Sequence, residues 1–195
     1  MPPATTPSPP PCGLSTSPPG PIYLTTLAAT ALLTVGATSA PGGYLILLLL
    51  VMLLWLALAA IGGIWSLLAV AQRAGRASLR RRWRQWLAAP LITTAVLASV
   101  VHQIPLRMRL ALSEPALRAA AETMHRNGRL EPGRYGLFMI TSIGYLPGGG
   151  ATFEIPNTGF LGTGHLIYNP GGLTLHFGHS APLGGPWSSW VNSWD

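Results

Sequence analysis

The apolar residues divide the chain into unlike stretches. Residues 1–21 hold nine prolines among Ser and Thr and show no apolar period. Such a segment cannot bury a core and is expected to be a disordered or polyproline-like tail. From Ile22 to Ala40 the chain runs 19 residues without a charge, just enough to span a bilayer as a helix. Thr26, Thr30, Thr34 and Thr38 recur there every four residues, which puts small hydroxylated side chains on one slanted stripe. No ionisable residue accompanies the stripe, so close helix packing is expected of it rather than a polar conduit. Ala40-Pro41-Gly42-Gly43 signals a tight turn. The strongest apolar run follows, 28 residues from Tyr44 to Ala71. As a helix it would measure about 42 Å against a hydrocarbon core of about 30 Å, so it must tilt or flex. Gly62-Gly63 is the expected flexing point. Trp86 to Leu106 makes a third span, with Pro90 read as falling in its first turn, where a missing N–H is tolerated.

Beyond Leu106 the period changes. Ser113-Glu114-Pro115 is expected to open a helix, with a Ser cap, an acid in the first turn and a proline where no N–H is needed. Leu117, Ala120, Ala121 and Met124 form its apolar stripe, and Asn127-Gly128 ends it. Fifteen of the last 68 residues are glycine, which favours short strands and turns. Strands are expected over 135–143, 151–155, 164–168 and 173–177. Asn169-Pro170-Gly171-Gly172 fits a type II turn. A hairpin on that turn would pair Tyr168 with Leu173, Leu166 with Leu175 and Gly164 with Phe177 on one face, and His165 with His176 on the other. The expected fold class is therefore membrane α-helical, with three transmembrane helices, plus a small α+β extracytoplasmic module containing an antiparallel β meander. The divisions are a tail at 1–21, a transmembrane region at 22–106 and the module at 107–195.

Charge fixes an orientation. The net charge of +7 comes from twelve arginines, no lysine and five acids, and six of the arginines crowd residues 73–84. The rest of the chain is nearly balanced, with six arginines against five acids, so the basicity is local. A short Arg-rich loop between apolar spans marks the cytoplasmic side. The N-terminal tail then lies inside and residues 107–195 outside, as a multi-pass cell-membrane protein. Within that loop Leu79, Trp83, Trp86 and Leu87 share one side, while Arg80, Arg81, Arg82 and Arg84 lie mostly around the other. Arg80, Arg81, Arg82, Trp83, Arg84 and Trp86 are the expected membrane-interface residues, with Trp at headgroup level and Arg toward anionic lipid. A nucleic-acid binder would spread its charge over a folded face, which this chain does not.

Residues 107–121 (RMRLALSEPALRAAA), 159–172 (GFLGTGHLIYNPGG) and 183–190 (LGGPWSSW) resemble a group of small actinobacterial membrane proteins with no assigned activity. The resemblance covers roughly half the chain and implies the order spanning helix, ALSEPAL helix, Gly-rich β tail ending in tryptophans. The chain departs from the group where Gly162 and Thr163 follow Gly-Phe-Leu in place of Asp-Pro.

Candidate chemistry is thin. His165 and His176, if paired across strands, could share a metal, with His179 and Glu154 as further ligands. The spacing matches no established motif, so a solvent-facing polar pair is the preferred reading, with no metal and no cofactor. There is no Gly-x-Ser-x-Gly elbow. Glu131, Glu154 and Asp195 are the only acids after the helix, too few for a convincing carboxylate pair. Trp187, Trp190 and Trp194 are read as a lid on a small core, against a ligand-stacking or membrane-resting platform. The expected function is a non-catalytic membrane protein with an extracytoplasmic interaction or envelope-structural module. An envelope enzyme with a His-based metal site is the alternative, and an accessory subunit of a transport complex is the second. The partners implied are the lipid bilayer, anionic headgroups at the Arg-rich loop and a second membrane protein, with no nucleic acid.

Overall fold

A computed structural model describes residues 20–71, 83–158, 162–172 and 180–193. Among the described residues four helices come first: α1 (Pro21–Ala37), α2 (Leu45–Ala71), α3 (Trp83–Val101) and α4 (Ile104–Asn127). Strands β1 (Gly133–Tyr135), β2 (Phe138–Ile140), β3 (Ser142–Leu146), β4 (Gly150–Ile155), β5 (Gly162–Tyr168), β6 (Ser180–Gly184) and β7 (Trp187–Ser193) follow. β1 and β2 form a small antiparallel pair; the other five form an antiparallel sheet of order β3-β4-β5-β7-β6.

α2 is the one described helix that is long and apolar enough by itself to cross a membrane. Its apolar side chains, Ile46 and Leu67 among them, stand largely exposed. α1, at 17 residues, is apolar but shorter. The third expected span does not run unbroken to Leu106. The helix stops at Val101, Gln103 takes a left-handed conformation with φ 54°, and α4 leaves at 55° to α3. His102 and Gln103 thus form the bend. Pro90 lies well inside α3, because that helix begins at Trp83 and not Trp86. Gly62-Gly63 does not interrupt α2, which is continuous to Ala71.

The Thr stripe lies between helices. Thr30 and Thr34 are buried, and each Thr from 26 to 38 on the stripe donates its hydroxyl to the carbonyl four residues back. Those bonds satisfy the hydroxyls locally, so the stripe presents little more than methyl groups and allows close packing on α2 and α3. The Trp55 indole of α2 reaches across to donate to Thr34 Oγ1 at 3.0 Å.

α4 begins at Ile104, so Ser113 is not a helix cap and Pro115 sits inside the helix. The buried stripe Leu106, Leu110, Ser113, Leu117, Ala120 and Ala121 covers the inner face of the sheet. Gly128, φ 69°, ends the helix as expected. The core joins that stripe to Phe138, Ile140, Ala151, Phe153, Ile155, Leu166, Leu183 and Trp187. Residues 135–143 are not one strand. Gly136 turns the chain at φ 62°, directly against Ser113, where an added Cβ would lie 2.7 Å from the Ser113 Cβ. Ser113 Oγ meanwhile accepts the Leu137 N–H at 2.9 Å.

The module sits at one end of the helices. The turn between α1 and α2 reaches it through a Tyr44–Thr158 bridge and through Pro41, whose carbonyl would lie 2.4 Å from a Cβ on Gly164. Arg109 ties the same junction together. It donates to Leu137 O, Ser39 and Tyr44 Oη, and its guanidinium lies 4.4 Å over the Phe138 ring. α2 ends at Ala71 and α3 begins at Trp83, and residues 72–82 between them lie outside the described residues.

Candidate functional site

The outer face of the five-stranded sheet carries a row of polar side chains beside the buried Ile167. On β4, Ala151, Phe153 and Ile155 point to the core, so Thr152 and Glu154 point away. β5 repeats the alternation, with Leu166 in the core and Thr163 and His165 on the outer side. Cross-strand register then aligns one complete row: Ser142 opposite Glu154, Glu154 opposite His165, His165 opposite Trp190, and Trp190 opposite Ser180. The row spans all five strands, and directly paired residues share a face. Its two ends are exposed, and Glu154, His165 and Trp190 are partly buried.

Within the row the His165 ring lies 4.7 Å from the Trp190 ring, tilted 31°. Its Nε2 lies 3.0 Å from Thr163 Oγ1. Burial lowers the His165 pKa from 6.5, and the Glu154 carboxylate partly opposes this. The neutral imidazole is therefore the favoured form at neutral pH. An aromatic plate, a carboxylate, an imidazole and several hydroxyls thus stand on one rigid surface.

This arrangement corrects the expected hairpin. β5 has β4 on one edge and β7 on the other along 164–168, so no edge is left for 173–177. The neighbours of His165 are Glu154 and Trp190. His176 and His179 lie outside the described residues. Among the described residues no three His, Cys, Asp or Glu side chains cluster as a metal site would require. The turn at Asn169 closes with a Gly172 N–H to Asn169 O bond, and its positive φ falls on Gly172, not on Gly171 as type II needs.

The tryptophans are divided by strand parity. Trp187 is buried against Phe153 and Tyr168, while Trp190, three residues on, lies on the outer face. Trp187 is thus core, and Trp190 belongs to the polar row; Trp194 lies outside the described residues. The Trp187 indole also donates to Glu114 at 3.2 Å, and Glu114 pairs with Arg118 at 2.7 Å. The Glu of ALSEPAL and the first Trp of LGGPWSSW are therefore partners in one joint between helix and sheet.

At the other end of the helices, Trp83 is exposed with Arg84 5.8 Å over its ring, and Trp86 is half-buried. Arg80, Arg81 and Arg82 lie outside the described residues. Reading the sequence missed Trp190 and Thr163 as neighbours of His165 and Arg109 as the junction residue. Strand parity across a local turn does not reveal that β7 returns to the free edge of β5. Comparison with protein-family models, with curated proteins and with solved structures gave no match.

Proposed function

We propose that the chain is an integral membrane protein anchored by α1, α2 and α3. In this reading the Arg-rich loop and the N-terminal tail are cytoplasmic and the sheet module is outside. We propose further that the module is a non-catalytic binding unit for a hydroxyl-rich envelope ligand, a glycan. The same reading places the chain with the actinobacterial membrane proteins that residues 107–121, 159–172 and 183–190 resemble.

The observation that carries the binding reading is the Ser142–Glu154–His165–Trp190–Ser180 row. Sugars offer apolar ring faces and many hydroxyls. An indole provides a plate for the first, and a carboxylate, a neutral imidazole and hydroxyls provide hydrogen-bond partners for the second. Support for the membrane reading comes from dimensions. Tyr44 to Trp65 along α2 is about 32 Å at 1.5 Å per residue, close to a hydrocarbon core of about 30 Å. Tyr23, Trp65 and Trp86 gather near the Arg-rich end and Tyr44 stands at the module end, as interfacial aromatics do.

The binding test is co-sedimentation of the full-length protein in detergent with insoluble envelope polysaccharide. Saturable binding that Trp190→Ala abolishes is expected. Binding absent, or unchanged by Trp190→Ala, would refute the assignment. A periplasm-type reporter fused after Asp195 should be active, and activity of a cytoplasm-only reporter there would invert the topology.

A further inference from the structure

A cavity of ≈ 340 Å³ opens among α1, α2 and α3 near the Arg-rich end, with Tyr23, Ala59, Gly63, Trp65, Trp86 and Pro90 in its lining. Ligand pockets begin at about 300 Å³. Small residues create the space. A Cβ on Gly62 would lie 2.6 Å from Tyr23 Oη, so glycine there admits the tyrosine, which then bonds Leu58 O at 3.2 Å. A Cβ on Gly63 would meet nothing within 4 Å. Tyr23 and Trp65 close the side wall with ring centroids 5.6 Å apart.

One polar group in this wall lacks a partner. The Trp86 Nε1–H is buried and has no hydrogen-bond partner among the described residues. Pro90, four residues on and inside the same helix, has no N–H to donate to the Trp86 carbonyl. Trp86 and Pro90 both line the cavity. In a bilayer the indole N–H has no bulk water to turn to, and it costs free energy until a partner arrives.

We propose that this cavity binds one phospholipid of the inner leaflet with an anionic headgroup, of the phosphatidylglycerol class. A phosphate or ester oxygen of the lipid accepts the Trp86 indole N–H. An acyl chain follows the Ala59–Gly63 side of α2. Negative charge is favoured because Arg84 lies two residues before Trp86 and five more arginines occupy residues 73–82 of the chain. The inference rests on the membrane reading above, and alkaline extraction of native membranes tests that reading alone.

The lipid is tested by native mass spectrometry of the full-length protein in detergent, titrated with dioleoyl phosphatidylglycerol or dioleoyl phosphatidylcholine. One phosphatidylglycerol per chain is expected to persist, in preference to phosphatidylcholine. Trp86→Phe keeps the ring and removes the donor, and should weaken retention about tenfold. Gly63→Leu fills the cavity and should abolish retention. Equal retention of both lipids, or retention unchanged in Trp86→Phe and Gly63→Leu, would overturn the proposal. A protein stripped from membranes by alkali would instead overturn the membrane reading beneath it.

Discussion

Arg109 offers the sharpest test of how the helices and the sheet hold together. Its guanidinium donates to Leu137 O in the β1–β2 turn, to Ser39 Oγ at 3.1 Å and to Tyr44 Oη at 3.0 Å in the α1–α2 turn, and lies 4.4 Å over Phe138. Replacing it with alanine removes charge-assisted bonds worth about 1.5–3 kcal/mol where acceptors are left without a partner. It also removes a cation–π contact worth about 0.5–2 kcal/mol. The groups are partly solvated and their energies do not add fully, so a net loss of about 3 kcal/mol is expected. For a chain of this size that corresponds to a fall of roughly 6–12 °C in Tm. Arg109→Lys keeps the charge but loses the planar fork that reaches both turns, so it should recover no more than about half of that loss. The measurement is thermal unfolding of full-length protein in one detergent, followed by tryptophan fluorescence. An Arg109→Ala protein melting within about 2 °C of the wild type, or an Arg109→Lys protein indistinguishable from it, would refute the bridging role.

Three other outcomes are expected. Gly136→Ala should destabilise by about 2–4 kcal/mol, since alanine disfavours φ 62° and its Cβ would lie 2.7 Å from that of Ser113; chemical unfolding with a loss under about 1 kcal/mol would count against this packing. Thr30→Leu with Thr34→Leu should lower detergent stability, because both positions are buried and Thr34 accepts the Trp55 indole. Unaltered melting would show that the stripe does not pack. His165 has its folded-state pKa lowered by burial, so the unfolded state binds the proton more readily. Its stabilising contribution is complete above the unfolded value of about 6.5 and is lost as pH falls through that value toward the lower folded one. Tm measured between pH 7.5 and 5 should therefore fall less steeply in His165→Gln than in the wild type, and parallel slopes would contradict the burial effect.

Local pattern determined a good deal of this protein. The apolar run at 44–71 became α2 because nothing but a helix satisfies the backbone of so long an apolar stretch. The alternation at 151–155 put Ala151, Phe153 and Ile155 in the core and Glu154 outside because strand parity is strictly two. Gly128 ended α4 because a left-handed residue was needed there. Long-range pairing decided the rest. Ser113 looked like a cap because Ser, Glu and Pro carry that signal wherever they occur. Only the approach of Gly136 and Trp187 gave Ser113 and Glu114 other partners and let the helix begin at Ile104. The local turn at Asn169 suggested His165 beside His176, but a turn constrains only its own flanks. β7 arrives from later in the chain and takes that edge, so Trp190 became the neighbour of His165. Trp190 follows Trp187 by three positions, an odd step that a strand sends to opposite faces and a helix would have kept together. Which of the two applied was settled by the sheet, and with it which tryptophan is core and which belongs to the polar surface.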